Sequence, residues 1–378
     1  LKPIRANLVL DKTYAAPTLD APLAEMTNAP APRNVILIIG DGMGPGALKL
    51  TSLYQHKAEG RLVMEQLPVA SFCTTHSESS DVTDSAAAAT AIACGHKTAN
   101  STLGMTAGTN RLVSFAEAAR QGGRAVGLIT SDAITGATPS GFYAHVMRRG
   151  ACQEIAGFAA ASGYNILIGN ATGKAWFAPK DAGGQRTDAR NVSDEMALAG
   201  YAVVENAEAF AQVPQDKRVL GFIDSKALGD EPALGQLTET ALARLAKNDK
   251  GFFLMVECAI TDSGGHGNNP ELTVRGTLQV DWAVKRAVEF ARKRGDTLVL
   301  VTADHETGGL NCAMSRTAPH RLVIHYTSTS HTGVPVCFYA FGPGAQLFSG
   351  VIDNTDIAKT IAHLWRLSLL PPAATPTY

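Results

Sequence analysis

Short apolar runs of six or seven residues recur along the chain, and longer amphipathic stretches lie between them. Nearly every residue of these runs is hydrophobic, which is typical of strands covered on both faces of a sheet. We therefore predict buried strands at VILIIG (35–40), VASFCTT (69–75), AVGLIT (125–130), GFFLMVE (251–257), TLVLVTA (297–303) and VCFYAFG (336–342).

The amphipathic stretches predict helices. In residues 280–294 an apolar stripe runs from Trp282 to Phe290, with charged residues on the opposite face. Residues 111–121 and 234–248 also predict helices. Because helices and apolar strands alternate, we expect an α/β fold with a mostly parallel sheet.

The two ends of the chain differ in composition from the rest. Residues 14–33 are rich in alanine and proline, and the last ten residues read LLPPAATPTY, so both segments resemble extended linkers. We expect an extended N-terminal arm over 1–33, a single folded domain over 34–366 and a proline-rich tail over 367–378.

Composition and charge exclude several classes of partner. The 378 residues are 45% hydrophobic and 18% charged, which is sufficient for a large core. The net charge of −1 provides no basic excess for nucleic acid or an anionic membrane. The longest apolar runs are too short to cross a bilayer, so we expect no transmembrane segment.

Cysteines and the start of the sequence bear on the compartment. None of the six cysteines forms a CxxC pair, and the sequence does not decide whether they are buried free thiols or form disulfides. The sequence starts at Leu1 without the charged and apolar regions of a signal peptide, and we expect any such peptide to have been removed or left out of this sequence.

One candidate nucleophile lies in DVTDSAAAATA (81–91), where Asp84 and Ser85 precede an alanine-rich helix. The simpler interpretation is a helix cap, since aspartate and serine accept hydrogen bonds from free N–H groups at helix starts. The alternative is a nucleophile, because a helix N-terminus favours both an alkoxide and a bound phosphate. This stretch alone does not distinguish the two.

Carboxylates and imidazoles follow three of the predicted strands. Ligands of open α/β sheets bind beyond the carboxyl ends of the strands. Aspartate and histidine are zinc ligands, and carboxylate with hydroxyl suits magnesium. The pattern predicts a multi-metal centre for phosphoryl transfer, in which two ions clamp the attacking and leaving oxygens. Its candidate ligands are Asp41, Glu257, Asp262, His266, Asp304 and His305.

Taken together, these motifs resemble the alkaline phosphatase family. GDGMG, DVTDSAAAATA, ATPSGFYAHV, ECAITDSGGHG, TADHETGG and SHTGVPV occur in the order typical of that family, and the similarity spans about residues 33–365. The resemblance implies a three-layer αβα sandwich with only a short crown insertion. It further implies that the domain over 34–366 hydrolyses phosphate monoesters at alkaline pH through a phosphoserine.

The resemblance also assigns roles to single residues. Ser85 corresponds to the phosphorylated serine, Arg149 to the phosphate-binding arginine and Asp84 to the residue that orients it. Two zinc ions and one magnesium ion per chain are implied. The first zinc would be held by Asp262, His266 and His331, the second by Asp41, Asp304 and His305, and the magnesium by Asp41, Thr138 and Glu257.

Two positions depart from well-known members of the family. Gly136 replaces an acid two residues before Thr138, and Ser263 stands where lysine or histidine is often found. Because groups around the ligands tune metals and substrates, we expect these departures to weaken phosphate retention. A homodimer and a periplasmic or extracellular location are further expectations from the resemblance.

Two other functions remain as alternatives. A phosphodiesterase or sulfatase relative would share the scaffold, although the sequence around Ser85 lacks the C/S-x-P-x-R pattern of sulfatases. A binding protein that has lost turnover would retain the ligands without the chemistry. The ratio of monoester to diester hydrolysis distinguishes a phosphatase from a phosphodiesterase relative. Any hydrolysis of a phosphate monoester excludes a binding protein without turnover.

Overall fold

The computed structural model describes residues 4–9 (backbone only), 18, 30–57, 60–224, 226–227, 233–318 and 321–369. Most of the predicted arm (1–3, 10–17 and 19–29) and residues 370–378 of the predicted tail lie outside the described residues.

Fifteen strands are present in the described residues, and all six predicted strands are among them. In chain order they are β1 Ile4–Val9, β2 Asn34–Gly40, β3 Val69–Thr74, β4 Ala125–Thr130, β5 Ile166–Asn170, β6 Tyr201–Val204, β7 Arg218–Ile223, β8 Phe252–Cys258, β9 Thr297–Thr302, β10 Glu306–Thr307, β11 Asn311–Met314, β12 Arg321–Tyr326, β13 His331–Thr332, β14 Val336–Phe341 and β15 Val351–Asp353.

Ten strands form one central sheet in the order β15-β3-β14-β9-β2-β8-β4-β5-β7-β6. All neighbouring pairs are parallel except those of β14, which is antiparallel to both β3 and β9. Every residue of β2, β8 and β9 is buried, as expected for strands covered on both faces. The mostly parallel αβα sandwich is therefore confirmed.

Helices flank this sheet. The α-helices are α1 Pro45–His56, α2 Ser85–Cys94, α3 Phe115–Gln121, α4 Ala137–Ser140, α5 Cys152–Ser162, α6 Val192–Leu198, α7 Ala207–Gln212, α8 Ala233–Leu245, α9 Ile260–His266, α10 Pro270–Arg294 and α11 Thr355–Trp365. Within the described part of the chain, 3₁₀ helices span Met64–Gln66, Ala171–Phe177, Lys180–Ala182 and Ala345–Phe348.

Helix caps explain two differences from the predicted boundaries. Helix α3 begins at Phe115 rather than at residue 111, because Ser114 and Glu117 form a capping box that fixes its start. Helix α10 begins ten residues before the predicted stretch, at Pro270, where Asn269 accepts hydrogen bonds from the first free N–H groups.

Two small sheets lie outside the central one. Strands β1, β12 and β11 form the first, so residues 4–9 of the predicted arm pair antiparallel with β12. Strands β10 and β13 form the second, pairing Glu306 with Thr332 and Thr307 with His331. The short segment between Asp304 and His331 thus contains β10, β11 and β12.

All six cysteines lie in the described part of the chain as free thiols, which resolves the alternatives left by the sequence. In the same part of the chain, no helix has the length and hydrophobicity needed to cross a membrane.

The sheet brings the predicted ligands together. Strands β4, β8, β2 and β9 are consecutive neighbours, and their parallel register aligns Thr130 with Glu257, Gly40 with Cys258, and Ile39 with Thr302. The loops after these strands therefore meet at one edge of the sheet, where ligands of α/β folds bind.

Candidate active site

The loop after β2 packs closely against its neighbours. Gly42 adopts a φ of 68°, and a Cβ there would lie 2.7 Å from the Asp262 Cα atom. Its N–H donates to Asp304 Oδ1 at 3.1 Å. Glycine is therefore required here both for the left-handed backbone and for the close approach.

Asp41, Asp304 and His305 form the first group of candidate metal ligands, with ligand atoms all within 4.8 Å of one another. His305 Nε2 lies 3.2 Å from Asp304 Oδ2 and 3.6 Å from Asp41 Oδ1. Both of these carboxylate oxygens are buried without a hydrogen bond. Because buried unpaired oxygens are costly, this donor set fits a bound cation, and it is the set predicted for the second zinc.

The ionisation of these groups reflects their burial. Burial raises the pKa of Asp41 well above its usual value, and the charges of Asp304, Asp262 and Glu257 raise it further. Burial and the neighbouring His331 lower the pKa of His305 to about 3. His305 is therefore neutral at ordinary pH, which is the form that binds a metal.

Asp262, His305 and His331 form a second group with ligand atoms within 4.8 Å. His331 Nε2 lies 3.7 Å from Asp262 Oδ1, and His266 Nε2 lies 3.4 Å from Asp262 Oδ2. His266, which was predicted for the first zinc, lies next to Asp262 but is not part of this group, and His305, which was predicted for the second zinc, takes its place there. His305 lies between the two groups, its ring stacked on that of His331 with centroids 3.5 Å apart.

Backbone carbonyls orient the two outer histidines. His266 Nδ1 lies 2.7 Å from the Thr329 oxygen, and His331 Nδ1 lies 2.9 Å from the Thr83 oxygen. Nδ1 must carry the proton to donate to a carbonyl, so the Nε2 lone pair of each ring is left to bind a metal. Such orientation by groups behind the ligands is usual in metal sites.

Thr138 and Glu257 form the third predicted group with Asp41. Burial and the charge of Asp132 raise the pKa of Glu257 to about 8. The Glu257 carboxyl accepts a hydrogen bond from Thr130, whereas Thr138 Oγ1 is buried without a hydrogen bond. Carboxylate and hydroxyl oxygens are the ligands that magnesium prefers, so this group also fits a cation.

The helix cap in DVTDSAAAATA is Asp84 and not Ser85. Asp84 Oδ1 accepts from the Ala87 N–H at 3.0 Å, while Ser85 is the first residue of α2. Ser85 is buried, and its Oγ lies 3.2 Å from His305 Nε2. The serine hydroxyl is therefore free of the capping role and faces the candidate ligands.

Arg149 is held beside this helix start. Its Nη1 donates to Asp84 Oδ2 at 3.3 Å, and its backbone N–H donates to the Ser101 oxygen at 2.7 Å. The Ser101 N–H also donates to Asp84 Oδ2, at 3.0 Å. The Arg149 side chain remains 39% exposed, which leaves the guanidinium accessible to an anion.

Sequence reasoning missed one polar group within the site. Thr307 Oγ1 donates to Asp262 Oδ1 at 2.6 Å and lies 3.2 Å from His305 Nδ1, so it contacts a residue of each candidate zinc group. Its position inside TADHETGG was the available signal, but a threonine within a ligand motif does not reveal which side chains it faces.

Comparisons with known proteins identify the family of this chain. A family model for alkaline phosphatase matches residues 32–323. Alkaline phosphatase 4 of Bacillus subtilis (strain 168) is 30% identical over 415 aligned residues, covering 87% of this chain and 88% of that protein. Alkaline phosphatase of Escherichia coli (strain K12) is 30% identical, covering 89% and 86%.

The structure of alkaline phosphatase from the Antarctic bacterium TAB5 is similar, with a TM-score of 0.80 and 28% identity, covering 90% of this chain and 100% of that one. A single-residue variant of that enzyme has Mg bound in a site designated M3. Fold and site together define a metal-binding hydrolase. The chain belongs to the alkaline phosphatase family, so it is a phosphatase that hydrolyses phosphate monoesters with divalent metals.

Proposed function

We propose that hydrolysis proceeds through a phosphoserine at Ser85 and is fastest at alkaline pH. The observation that carries this proposal is the position of Ser85 Oγ, buried and 3.2 Å from His305 Nε2, at the start of a helix that another residue caps. A hydroxyl in this position faces both the candidate ligands and the positive end of the helix dipole.

Two zinc ions and one magnesium ion per chain are the proposed cofactors. When bound, such ions lower the pKa of coordinated hydroxyl groups and neutralise charge on the transferred phosphoryl group. The unpaired oxygens of Asp41, Asp304 and Thr138 support this assignment. The first zinc set is Asp262, His266 and His331, the second is Asp41, Asp304 and His305, and the magnesium set is Asp41, Thr138 and Glu257.

The protein groups around Ser85 account for the chemistry of the first step. Ser85 Oγ attacks phosphorus and the bond to the leaving alcohol breaks in line with it. The planar guanidinium of Arg149 donates two parallel hydrogen bonds to phosphate oxygens, and its hydrogen bond to Asp84 orients it. Water then hydrolyses the phosphoserine. Because the serine hydroxyl loses its proton on attack, we expect the rate to rise with pH.

The cationic side chain of Arg149 beside the nucleophile favours phosphate monoesters over phosphodiesters and sulfate esters. A phosphate monoester is a dianion and gains more from Arg149 than the monoanion of a diester or a sulfate ester does. The matched test compares rates with p-nitrophenyl phosphate, bis(p-nitrophenyl) phosphate and p-nitrophenyl sulfate on the zinc-loaded protein. Faster turnover of the diester or sulfate would contradict the proposal.

The nucleophile itself is tested by Ser85→Ala, with the exposed Ser349→Ala as the matched control. We expect Ser85→Ala to lower kcat by several orders of magnitude, with unchanged zinc content, and to abolish labelled phosphoenzyme after an acid quench. Loss of zinc in parallel with activity would instead make Ser85 a structural ligand.

Assembly and location complete the proposal. We expect a homodimer in a periplasmic or extracellular compartment, as the resemblance implies. Light scattering of the purified full chain tests the dimer, and fractionation of expressing cells tests the location. A monomer at micromolar concentration, or enzyme confined to the cytosol, would contradict the corresponding expectation.

A further inference from the structure

The side chain of Asn100 makes hydrogen bonds on both sides of Thr83. Its Oδ1 accepts from the Asp84 N–H at 3.1 Å, and its Nδ2 donates to the Val82 oxygen at 3.1 Å. Asn100 is half-buried and lies in the loop that follows helix α2, whereas Asp84 caps the start of that helix. One amide group therefore ties the loop after the helix to the segment before it.

That segment leads directly into three groups of the candidate active site. The Thr83 oxygen lies 2.9 Å from His331 Nδ1. Asp84 Oδ2 accepts from Arg149 Nη1 at 3.3 Å, and Ser85 follows as the first residue of α2. A shift of the segment would therefore move the candidate nucleophile and the arginine, and would disturb the orientation of a candidate metal ligand.

Ser101, the residue after Asn100, holds the same groups through a strained backbone. Its φ is 76°, in the left-handed region that residues other than glycine rarely adopt. Its N–H donates to Asp84 Oδ2 at 3.0 Å, and its oxygen accepts from the Arg149 N–H at 2.7 Å. Such strain persists only where the surrounding contacts fix it, and it is concentrated at functional sites.

We propose that Asn100 is a positioning residue for phosphoryl transfer. Its amide holds the segment 82–84 so that Ser85 and the guanidinium of Arg149 meet the same phosphate group. The inference rests on the proposed function, because it takes Ser85 as the nucleophile. Position matters for such a step, since a misplacement of about 1 Å can lower a rate by about 100-fold.

The test compares Asn100→Ala with Ser79→Ala. The exposed Ser79 accepts a hydrogen bond from the Asn100 N–H at 3.0 Å, so its variant removes a contact of the same residue and leaves the amide intact. With p-nitrophenyl phosphate and saturating zinc and magnesium, we expect Asn100→Ala to lower kcat/KM by about 10- to 100-fold. Inhibition by inorganic phosphate should weaken by about tenfold. Ser79→Ala should match the wild type in both measurements.

A double-mutant cycle separates positioning from a general loss of stability. If the amide acts through Arg149, adding Asn100→Ala to Arg149→Lys should weaken phosphate inhibition by less than about threefold more. Independent effects would multiply instead, and that result would overturn the proposal. Asn100→Asp keeps the shape and the acceptor but loses the donor to Val82, so the same cycle can be measured if Asn100→Ala does not fold.

The outcomes distinguish this inference from the proposed function. If the Asn100 variants keep wild-type kcat/KM and phosphate inhibition while Ser85→Ala is inactive, the role of Asn100 is overturned and the nucleophile stands. If Ser85→Ala still forms a phosphoenzyme, the proposed function is overturned, and the positioning of Ser85 by Asn100 is overturned with it.

Discussion

Thr307 Oγ1 donates to Asp262 Oδ1 at 2.6 Å and lies 3.2 Å from His305 Nδ1. One hydroxyl therefore orients a carboxylate of one candidate zinc group and an imidazole of the other. This threonine touches neither Ser85 nor Arg149 within hydrogen-bonding distance among the described contacts, so its effect on catalysis passes through the ligands.

We expect Thr307→Val, which keeps the shape of the side chain, to lower zinc affinity by about 10- to 100-fold. The reason is that Asp262 loses the hydrogen bond that fixes its carboxylate. Competition with a zinc-binding dye measures the affinity, and the exposed Thr317→Val is the control. Unchanged zinc retention in Thr307→Val would show that the hydroxyl does not orient the ligands.

Arg149 and its neighbour Arg148 provide a matched pair. We expect Arg149→Lys to weaken competitive inhibition by inorganic phosphate by about 10- to 100-fold, because an ammonium group cannot make the two parallel hydrogen bonds of a guanidinium. Arg148→Lys keeps the same charge one position away and should leave the inhibition constant unchanged. Equal effects of the two substitutions would contradict the contact of Arg149 with phosphate.

Metal removal should destabilise the protein as well as inactivate it. Asp41 and Asp304 lie in one candidate metal group and Asp262 in the other, and one oxygen each of Asp41 and Asp304 is buried without a hydrogen bond. We therefore expect bound cations to stabilise the fold. A free ion concentration of about 100 times the Kd stabilises the folded state by about 2.7 kcal/mol. We expect EDTA to lower Tm and zinc with magnesium to restore it. A Tm that did not respond to chelation would contradict this.

Asp353 predicts a component of stability that is lost in acid. Burial alone raises the pKa of Asp353, but hydrogen bonds from Lys97 and Thr355 outweigh it and hold the pKa at about 2. A pKa lowered in the folded state stabilises the fold above the unfolded value near 4, and this stabilisation is lost as pH falls towards 2.

The difference in free energy of unfolding between the wild type and Asp353→Asn should therefore be largest at pH 6 and about half as large at pH 3. Urea denaturation followed by circular dichroism measures it. Lys97→Met removes the main partner and should reduce the same pH dependence. A difference that stays constant between pH 3 and pH 6 would show that Asp353 titrates normally.

The sequence was most informative where burial on both faces of the sheet requires every residue of a strand to be apolar. Strands β2, β8 and β9 are buried on both faces, so their uninterrupted apolar runs were predicted within one or two residues. Strand β6 escaped prediction because it is only four residues long, although all four are apolar. Strands β5 and β7 were also missed, even though nearly all of their residues are buried. The same reasoning placed the candidate ligands, because they directly follow the strands.

Contacts between distant segments could not be predicted in this way. The carbonyl of Thr83 meets His331, and Asp132 occupies the space next to Gly136, yet neither relationship follows from spacing along the chain. Both depend on how loops from distant parts of the chain pack against one another. The sequence identified Gly136 as a departure from the family, whereas only the structure shows that the Asp132 carboxyl group lies next to it.

The two-residue ladder of β10 and β13 has a consequence for how such enzymes diverge. It pairs Thr307 with His331, so the segment between them is closed at its base next to the candidate ligands. Lengthening a loop that is already closed costs little conformational entropy. Insertions can therefore accumulate between residues 308 and 330 without displacing His331, and the outer surface can evolve independently of the chemistry beneath it.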